Sequence, residues 1–494
     1  MSTLSKAEGS TLSKVKGSAL SKARGGREEA NMQHSTFNTQ LLLDPIPQEE
    51  MNDMVIESMQ RTNKTYWIVV GLLALLSMGG FVGGWLYQIV WGMGVAGLRR
   101  PVYWGVYITC FVFWIGISHS GTFVSAVLRV FKAEFRRPLT RAAEVMTTTS
   151  LLVAVTFLGI HVGRTWRGYW ILPYPNQRGL WPNFHSPFLW DEMAILSYFS
   201  GSTLYLLLPL IPDLAMARDR LSGWRHQVYR VLSLGWRGTE GQWRRLHVAM
   251  NIFAFVIIPV MFSVHTIVAW DFSMTNLIGW RSSIFGPYFV IGAIYSGVSA
   301  VVNILFLVRY DMKLDYFIRQ EHFESLAKLM LVFSFAWVYF FFTDTIVEWY
   351  GGDSIGHQIL KIQTSGQMAP FWYTMLFFNV LIPWLTLWNK RIRRSPPALF
   401  MIALGVNVGM FMERYIIVTG FLRRNRMPFN WGEYAPSLVE IGIAIGSVAT
   451  FLLLYALISR LIPMIPVWEV REGQMAHSTR QIGKAKVTTV AELE

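Results

Sequence analysis

The sequence predicts an all-α integral membrane protein with about ten transmembrane helices. Three observations carry this reading: long apolar runs recur along most of the chain, charge is scarce, and basic residues gather in the short stretches between runs. Of the 494 residues, 53% are hydrophobic and 15% charged, where an ordinary globular domain carries roughly 25% charged residues. The net charge of +14 sits in arginine clusters flanking the apolar runs. Lipid headgroups and the insertion machinery read such clusters, so nucleic acid is not an expected partner.

The chain opens on a threefold repeat, STLSKAEG, STLSKVKG and SALSKARG, which is polar, basic and rich in small residues. That composition predicts a disordered extension. LLLDPIP at residues 41–47 follows as a proline-limited surface segment. Residues 1–64 are therefore read as an extension, 65–460 as the membrane domain and 461–494 as a cytoplasmic tail. The first apolar run starts at Tyr66 and lacks a signal-peptide cleavage site, so it is expected to remain as an anchor.

A helix needs about 20 apolar residues to cross a bilayer. Runs of that kind lie near residues 66–91, 104–128, 142–161, 188–211 and 246–270, and near 285–308, 326–347, 370–388, 398–418 and 436–459. With the N-terminus inside, the inner loops carry Lys132, Arg136, Arg137 and Arg141, and then the arginines between Arg218 and Arg245. They also carry Arg309, Lys313 and Arg319, and then the Lys390–Arg394 cluster. The outer loops carry fewer basic residues, which predicts that both termini are cytoplasmic.

An internal repeat aligns His119-Ser120-Gly121 of the second span with Tyr295-Ser296-Gly297 of the sixth, and SPFLWDEM of the fourth with APFWYTM of the eighth. Four spans separate each pair, so the halves are parallel. The expected architecture is two four-helix bundles, spans 2–5 and 6–9, with the first and tenth spans peripheral.

Ionisable residues within the spans need partners or a purpose. Near the outer face the sequence places His161, Asp191, Glu192, His265, Asp344, Glu348, Glu413, Arg414 and Glu440. Toward the inner half it places His119, Glu144, Asp213 and His247. His161 ends the third span and Asp191 opens the fourth, so the two share a depth. A His/Asp pair facing a lipid-accessible pocket suits quinol oxidation, which needs two hydroxyls held and deprotonated. An interfacial ion pair that only orients two helices fits the same spacing. Glu413 and Arg414 diverge by about 100° on a helix, so each is expected to meet a neighbouring helix, with Asp344 or His265 as candidate partners. The loop HVGRTWRGYWILPYPNQRGLWPNF is dense in aromatics and arginines, as a surface for another subunit or a membrane-interface cap would be.

The HSGTF segment, the FLGIHVGRTWRGYW–SPFLWDE junction and the MFMERYIIV span resemble the NrfD/polysulfide reductase family of membrane subunits. Within it the resemblance is strongest to the ActC subunits of bacterial alternative complex III, and it covers residues 41–466. The resemblance implies a quinol-oxidising subunit of the bacterial inner membrane whose pocket lies near the periplasmic face. It carries His161 and Asp191 onto the family's quinol-pocket positions, with Arg164 a secondary candidate. It implies menaquinol as substrate and no haem or iron–sulfur cluster on this chain. Electrons would pass to an extrinsic iron–sulfur subunit and on to c-type haem subunits, beside other membrane subunits. It further implies a proton path, for which His119, Glu144, Asp213, His265, Asp344 and Glu413 are the available groups.

The single cysteine, Cys110, agrees with clusters being held elsewhere. A diheme cytochrome b needs two histidine pairs at matched depth, and no span carries two histidines 13 or 14 apart. His161 with His265 could hold one haem b. A transporter would favour inverted repeats and midplane charge. A purely structural anchor would leave the His161/Asp191 pair without a role.

Overall fold

The computed structural model describes residues 46–171, 187–351, 354–424, 427–476, 479–482 and 485–488. The N-terminal repeat and residues 172–186 of the third loop, with Arg178 and Trp181, lie outside the described residues.

Among the described residues, nine helices are long and apolar enough to cross a membrane, and one bent pair brings the number to ten. The spans are Lys64–Trp91, Val106–Val130, Glu134–Val162, Pro187–Arg220, Glu240–Ser273, Phe285–Met312, Gln320–Gly351, the bent pair, Pro396–Arg423 and Leu438–Leu461. The protein is thus a multi-pass membrane protein whose spans are all α-helical. Each of the ten runs read from hydropathy is recovered at its place in the chain.

The eighth span departs from a single rod. Ser354–Ser365 meets Ala369–Thr386 at a 70° bend, so an amphipathic helix leads into a short apolar one. Gly366 and Pro370 stand at the break, where the backbone must turn. π-helical turns interrupt the first, second, eighth and ninth spans, at Ser77–Val82, Phe123–Val127, Phe377–Leu381 and Ile416–Gly420. Each widens the helix locally and re-aims the residues beyond it.

Packing follows the repeat. Spans 2, 3, 4 and 5 pack on one another in sequence, span 5 returns to span 2, and spans 6, 7, 8 and 9 form the second group. The groups meet where span 2 crosses span 6. The aligned motifs face each other there: a side chain at Gly297 would collide with Ser120, and one at Gly116 would touch Ser296 Oγ at 3.4 Å. Without lipid-driven attraction between helices, such small residues permit the close approach that dispersion needs. The first span packs on the tenth outside the bundles, through Ser77 Oγ and Thr450 Oγ1 at 2.7 Å and a Tyr66 hydroxyl donating to the Ala456 carbonyl at 3.1 Å.

Residues from Arg471 onward belong to a separate compact unit. Its described part includes the antiparallel hairpin Thr479–Ile482 with Ala485–Thr488.

Candidate functional site

The end of the first bundle opposite the arginine-rich loops gathers polar groups from spans 3, 4 and 5. Span 3 stops at Gly163, whose φ of +73° suits glycine. Its last turn is fixed from outside. Gln88 of the first span, buried at 1% exposure, donates through Nε2 to the Ile160 carbonyl at 2.8 Å. The Tyr107 hydroxyl donates to Gln88 Oε1 at 2.7 Å. His161 follows Ile160 directly, so this buried amide sets its position. His161 Nδ1 is buried without a hydrogen-bond partner.

Asp191 lies in the first turns of span 4, buried, with Oδ1 unpartnered. It interacts electrostatically with Asp271, in the last turn of span 5, and with the adjacent Glu192. Asp271 is also buried with Oδ1 unpartnered. Two carboxyls and one imidazole, from three consecutive spans, therefore share one end with hydrogen-bonding capacity to spare. Buried polar atoms of that kind call for a partner: a ligand, an ordered water or a proton. An aromatic wall stands at the same end. Trp104 packs against Phe188, Phe272 and Trp280 at 5.7, 5.5 and 5.4 Å between ring centres, and Trp190 against Trp270 at 5.9 Å.

The alternative of an ion pair between His161 and Asp191 that only orients two helices is not seen: His161 Nδ1 and Asp191 Oδ1 each lack a hydrogen-bond partner. Depth along a helix follows from residue count, but facing direction depends on packing, and Asp191 interacts with Asp271 of span 5 instead. Sequence reasoning missed Asp271, although the same depth argument applied to HTIVAWDF at the end of the fifth span finds it. It missed Gln88 because a lone glutamine in an apolar run gives no signal of its partners. Arg164 is exposed just past the end of span 3.

Deeper in this bundle the structure joins two residues that the sequence places at different depths. The His119 and His265 rings touch edge-on at 4.6 Å between centres. His119 Nδ1 lies 2.7 Å from the Ile115 carbonyl and Nε2 lies 2.8 Å from the Met261 carbonyl. A neutral imidazole has one N–H, so only the doubly protonated ring could donate to both. Both His265 nitrogens are unpartnered.

At the arginine-rich end, Arg141 is fully buried. It donates to Asp213 Oδ2 at 3.0 Å and to the Pro209 carbonyl at 2.9 Å, and stands 3.7 Å from Glu144. Its place in the sequence puts Arg141 among loop charges; its length lets it turn inward to the two carboxylates. The first turn of the helix Val467–Ala476 covers this region. Its Glu469 pairs with Arg136 at 2.8 Å and Arg129 at 3.4 Å, while Trp468 Nε1 donates to the Pro209 carbonyl at 2.9 Å. Burial alone would raise the Glu469 carboxyl, but Arg136, Arg129 and Arg137 hold it below the ordinary range.

In the second bundle, Glu413 and Arg414 pair with each other at 2.9 Å, contrary to expectation. The 100° divergence separates their Cα–Cβ directions, and the long side chains bridge it. Trp337 Nε1 donates to Glu413 Oε1 at 2.8 Å, and the Arg414 guanidinium covers Phe289 at 4.7 Å. Asp344 instead accepts from Ser282 Oγ at 2.6 Å. A cavity of about 270 Å³ lies between Asp344, Glu348, Glu413 and Tyr288.

Comparison with known proteins places these features in a family. Residues 94–423 match the family described as polysulphide reductase, NrfD. A putative membrane subunit of a dimethyl sulfoxide reductase from Halobacterium salinarum is 25% identical over 402 residues, covering 77% of this chain and 87% of the relative. An Hdr-like menaquinol oxidoreductase integral membrane subunit of Archaeoglobus fulgidus is 22% identical, covering 82% and 95%. The menaquinone reductase integral membrane subunit of Nitratidesulfovibrio vulgaris is 24% identical, covering 76% and 86%. With the family match extending over most of the helical bundle, the chain belongs to the NrfD/polysulphide reductase family of membrane proteins.

Proposed function

We propose that this chain is the quinone-interacting membrane subunit of a multisubunit redox complex, and that it oxidises menaquinol at the end of spans 3–5 that carries His161, Asp191 and Asp271. The observation that carries this reading is the set of buried, unpartnered polar atoms contributed there by three consecutive spans. Two of the relatives are named for menaquinol or menaquinone chemistry, which supports the substrate class. In this reading the domain at residues 65–460 sits in a bacterial inner membrane, both termini are cytoplasmic, and the site faces the periplasm.

Oxidation of a quinol releases two electrons and two protons. One quinol hydroxyl donates to Asp191 Oδ1 and the other to His161 Nδ1, and Asp271 beside Asp191 provides a second carboxylate for a departing proton. The aromatic wall around Trp104 gives the ring an apolar face and keeps water away. The electrons leave one at a time to an iron–sulfur cluster in an extrinsic partner docked over the third loop, near Arg164, and from there to c-type haem subunits, as in ActC-containing complexes. His119, His265, Glu144 and Asp213 form a candidate proton route through the first bundle, and Asp344 with Glu413 a candidate route in the second.

The test is quinol oxidation by the intact complex carrying Asp191→Asn or His161→Ala, with the presence of every subunit checked on the same preparations. Loss of about 10²-fold or more in turnover with assembly intact is expected. Normal turnover in assembled complex would reduce the cluster to helix packing. Quinone reduction at the same site is the second reading, favoured by the name of the menaquinone reductase relative. Supplying electrons from the partner side and measuring quinol formation separates the two directions.

A further inference from the structure

The loop between spans 4 and 5 carries a helix, Trp224–Leu232, whose three sides meet three different surroundings. At about 100° per residue, Trp224, Val228, Val231 and Leu232 fall in one sector, and all four are exposed. Tyr229 and His226 fall on the side turned to the protein. The buried Tyr229 packs with Ile56, Met59 and Leu214, and His226 Nδ1 donates to the Arg218 carbonyl at 2.9 Å. Gln227 and Arg230 stand exposed on the third side. In a watery loop four large apolar side chains on one face gain nothing. A helix lying in the plane of a bilayer surface buries them.

The depth of this helix is fixed by its anchor. The Tyr229 hydroxyl donates to the carbonyl of Leu461, the last residue of span 10, at 2.6 Å. The helix therefore sits where span 10 leaves the hydrocarbon, at the boundary with the headgroups. Arg218 holds the turn that follows, donating to Ser233 Oγ at 3.3 Å and to the Trp236 carbonyl at 3.2 Å. Span 5 then starts at Glu240. Its 34 residues make a helix about 51 Å long, against a hydrocarbon core of about 30 Å, so its early turns with Arg244 and Arg245 extend beyond the core.

Charge selects what covers this surface. Arg218 pairs with Asp219 and Arg220 with Glu49, each at 2.7 Å. Among the described residues, no carboxylate pairs with Arg225, Arg230, Arg244 or Arg245. Glu240 is the one acidic residue between Asp219 and Asp271. The Arg225 guanidinium lies over the Trp224 ring at 5.6 Å, at the edge of the apolar sector. A leaflet with anionic headgroups supplies both acyl chains for that sector and phosphates for the arginines, at the one depth where the helix lies. We propose that Trp224–Leu232 and the start of span 5 form a docking site for anionic phospholipid, with Arg225, Arg230, Arg244 and Arg245 on the headgroup phosphates. None of these residues belongs to the His161 cluster or to the candidate proton routes, so the site stands whether or not the subunit handles quinol.

The experiment uses the intact complex in nanodiscs of mixed phosphatidylglycerol and phosphatidylcholine. Each disc carries a trace of one of these lipids with a diazirine near its glycerol, and labelled residues are mapped by mass spectrometry. The phosphatidylglycerol probe is expected to label residues 224–245 about tenfold more than the phosphatidylcholine probe. Arg225→Gln/Arg230→Gln should cut that preference about fivefold, the worth of roughly one unscreened arginine at an anionic surface. Arg244→Gln/Arg245→Gln, on a different helix, reads the same loss if the first variant fails to assemble. Equal labelling by the two probes overturns the proposal, as does an unchanged preference in the assembled variants. Displacement of the label by inorganic phosphate at constant ionic strength assigns the arginines to a soluble anion and overturns it too. So does absence of lipid labelling together with cross-links from these residues to another subunit.

Discussion

His161 and Asp191 show what a residue's position in the chain can and cannot say. Each ends or opens its span on the same side, no hydrogen bond joins His161 Nδ1 to Asp191 Oδ1, and the electrostatic neighbours of Asp191 are Asp271 and Glu192. Two carboxyls placed together in a buried site cannot both ionise without cost, so one of them is available to hold a proton. Replacing Asp271 with Asn removes that second carboxylate and keeps the shape. Quinol turnover is expected to fall about tenfold to 10³-fold, measured as kcat of the assembled complex. Glu192→Gln, at a half-buried position beside Asp191, should change it far less. An Asp271→Asn complex with wild-type turnover would remove Asp271 from the mechanism and leave the site to His161 and Asp191. The sequence offered which span ends carry His161 and Asp191, but not which neighbours each side chain meets. The rotation of each helix is decided by packing contacts, such as the Gln88 hydrogen bond to the end of span 3, that a single sequence does not display.

At the scale of elements, the repeat HSG/YSG was legible, and its physical purpose became plain only in the structure. A side chain at Gly121 would run into Thr147 and the Ala143 carbonyl of span 3, and one at Gly297 into Ser120 of span 2. The glycines set how closely three helices approach. The segment after the last span reads as a tail, yet its first residues close over the arginine-rich end of the first bundle through Glu469 and Trp468. Because the arginines hold the Glu469 carboxyl below its unfolded value, the ion pairs add stability above the ordinary glutamate range, near ~4.3. That stability is lost as pH falls through the lowered folded value. The protection factor for hydrogen exchange at residues 467–470, which corrects for the intrinsic pH dependence of exchange, should therefore stay high at neutral pH and fall in acid. Glu469→Gln should show a lower protection factor at neutral pH and no further loss of protection in acid. Breaking a buried pair from one side costs about 3–5 kcal/mol, enough to open this segment. Identical exchange in the two proteins at neutral pH would show that Trp468 holds the segment without the charges.

For the whole molecule, hydropathy was sufficient to find the nine long apolar helices and the bent pair among the described residues, because the bilayer imposes one length on each crossing and internal hydrogen bonding lets a helix satisfy its own backbone. It did not reveal the 70° bend before the eighth span, which reflects how an amphipathic segment lies against its neighbours. Orientation rests on charge. The arginine clusters between Arg218 and Arg245 and at Lys390–Arg394 share one end, and the His161 cluster lies at the other. If the basic end is cytoplasmic, the candidate oxidation site opens toward the periplasm and can reach an extrinsic electron acceptor there. The chain is suited to a direct test, because its one cysteine is buried in span 2 and can be changed to Ser for a cysteine-free background. In that background Gly168→Cys, where an added side chain meets nothing within 4 Å, should react with a membrane-impermeant maleimide in intact spheroplasts. Arg237→Cys, in the exposed loop before span 5, should react only after the membrane is opened. The reverse pattern would place the His161 cluster on the cytoplasmic side, and electrons from it would then have to leave toward a cytoplasmic partner.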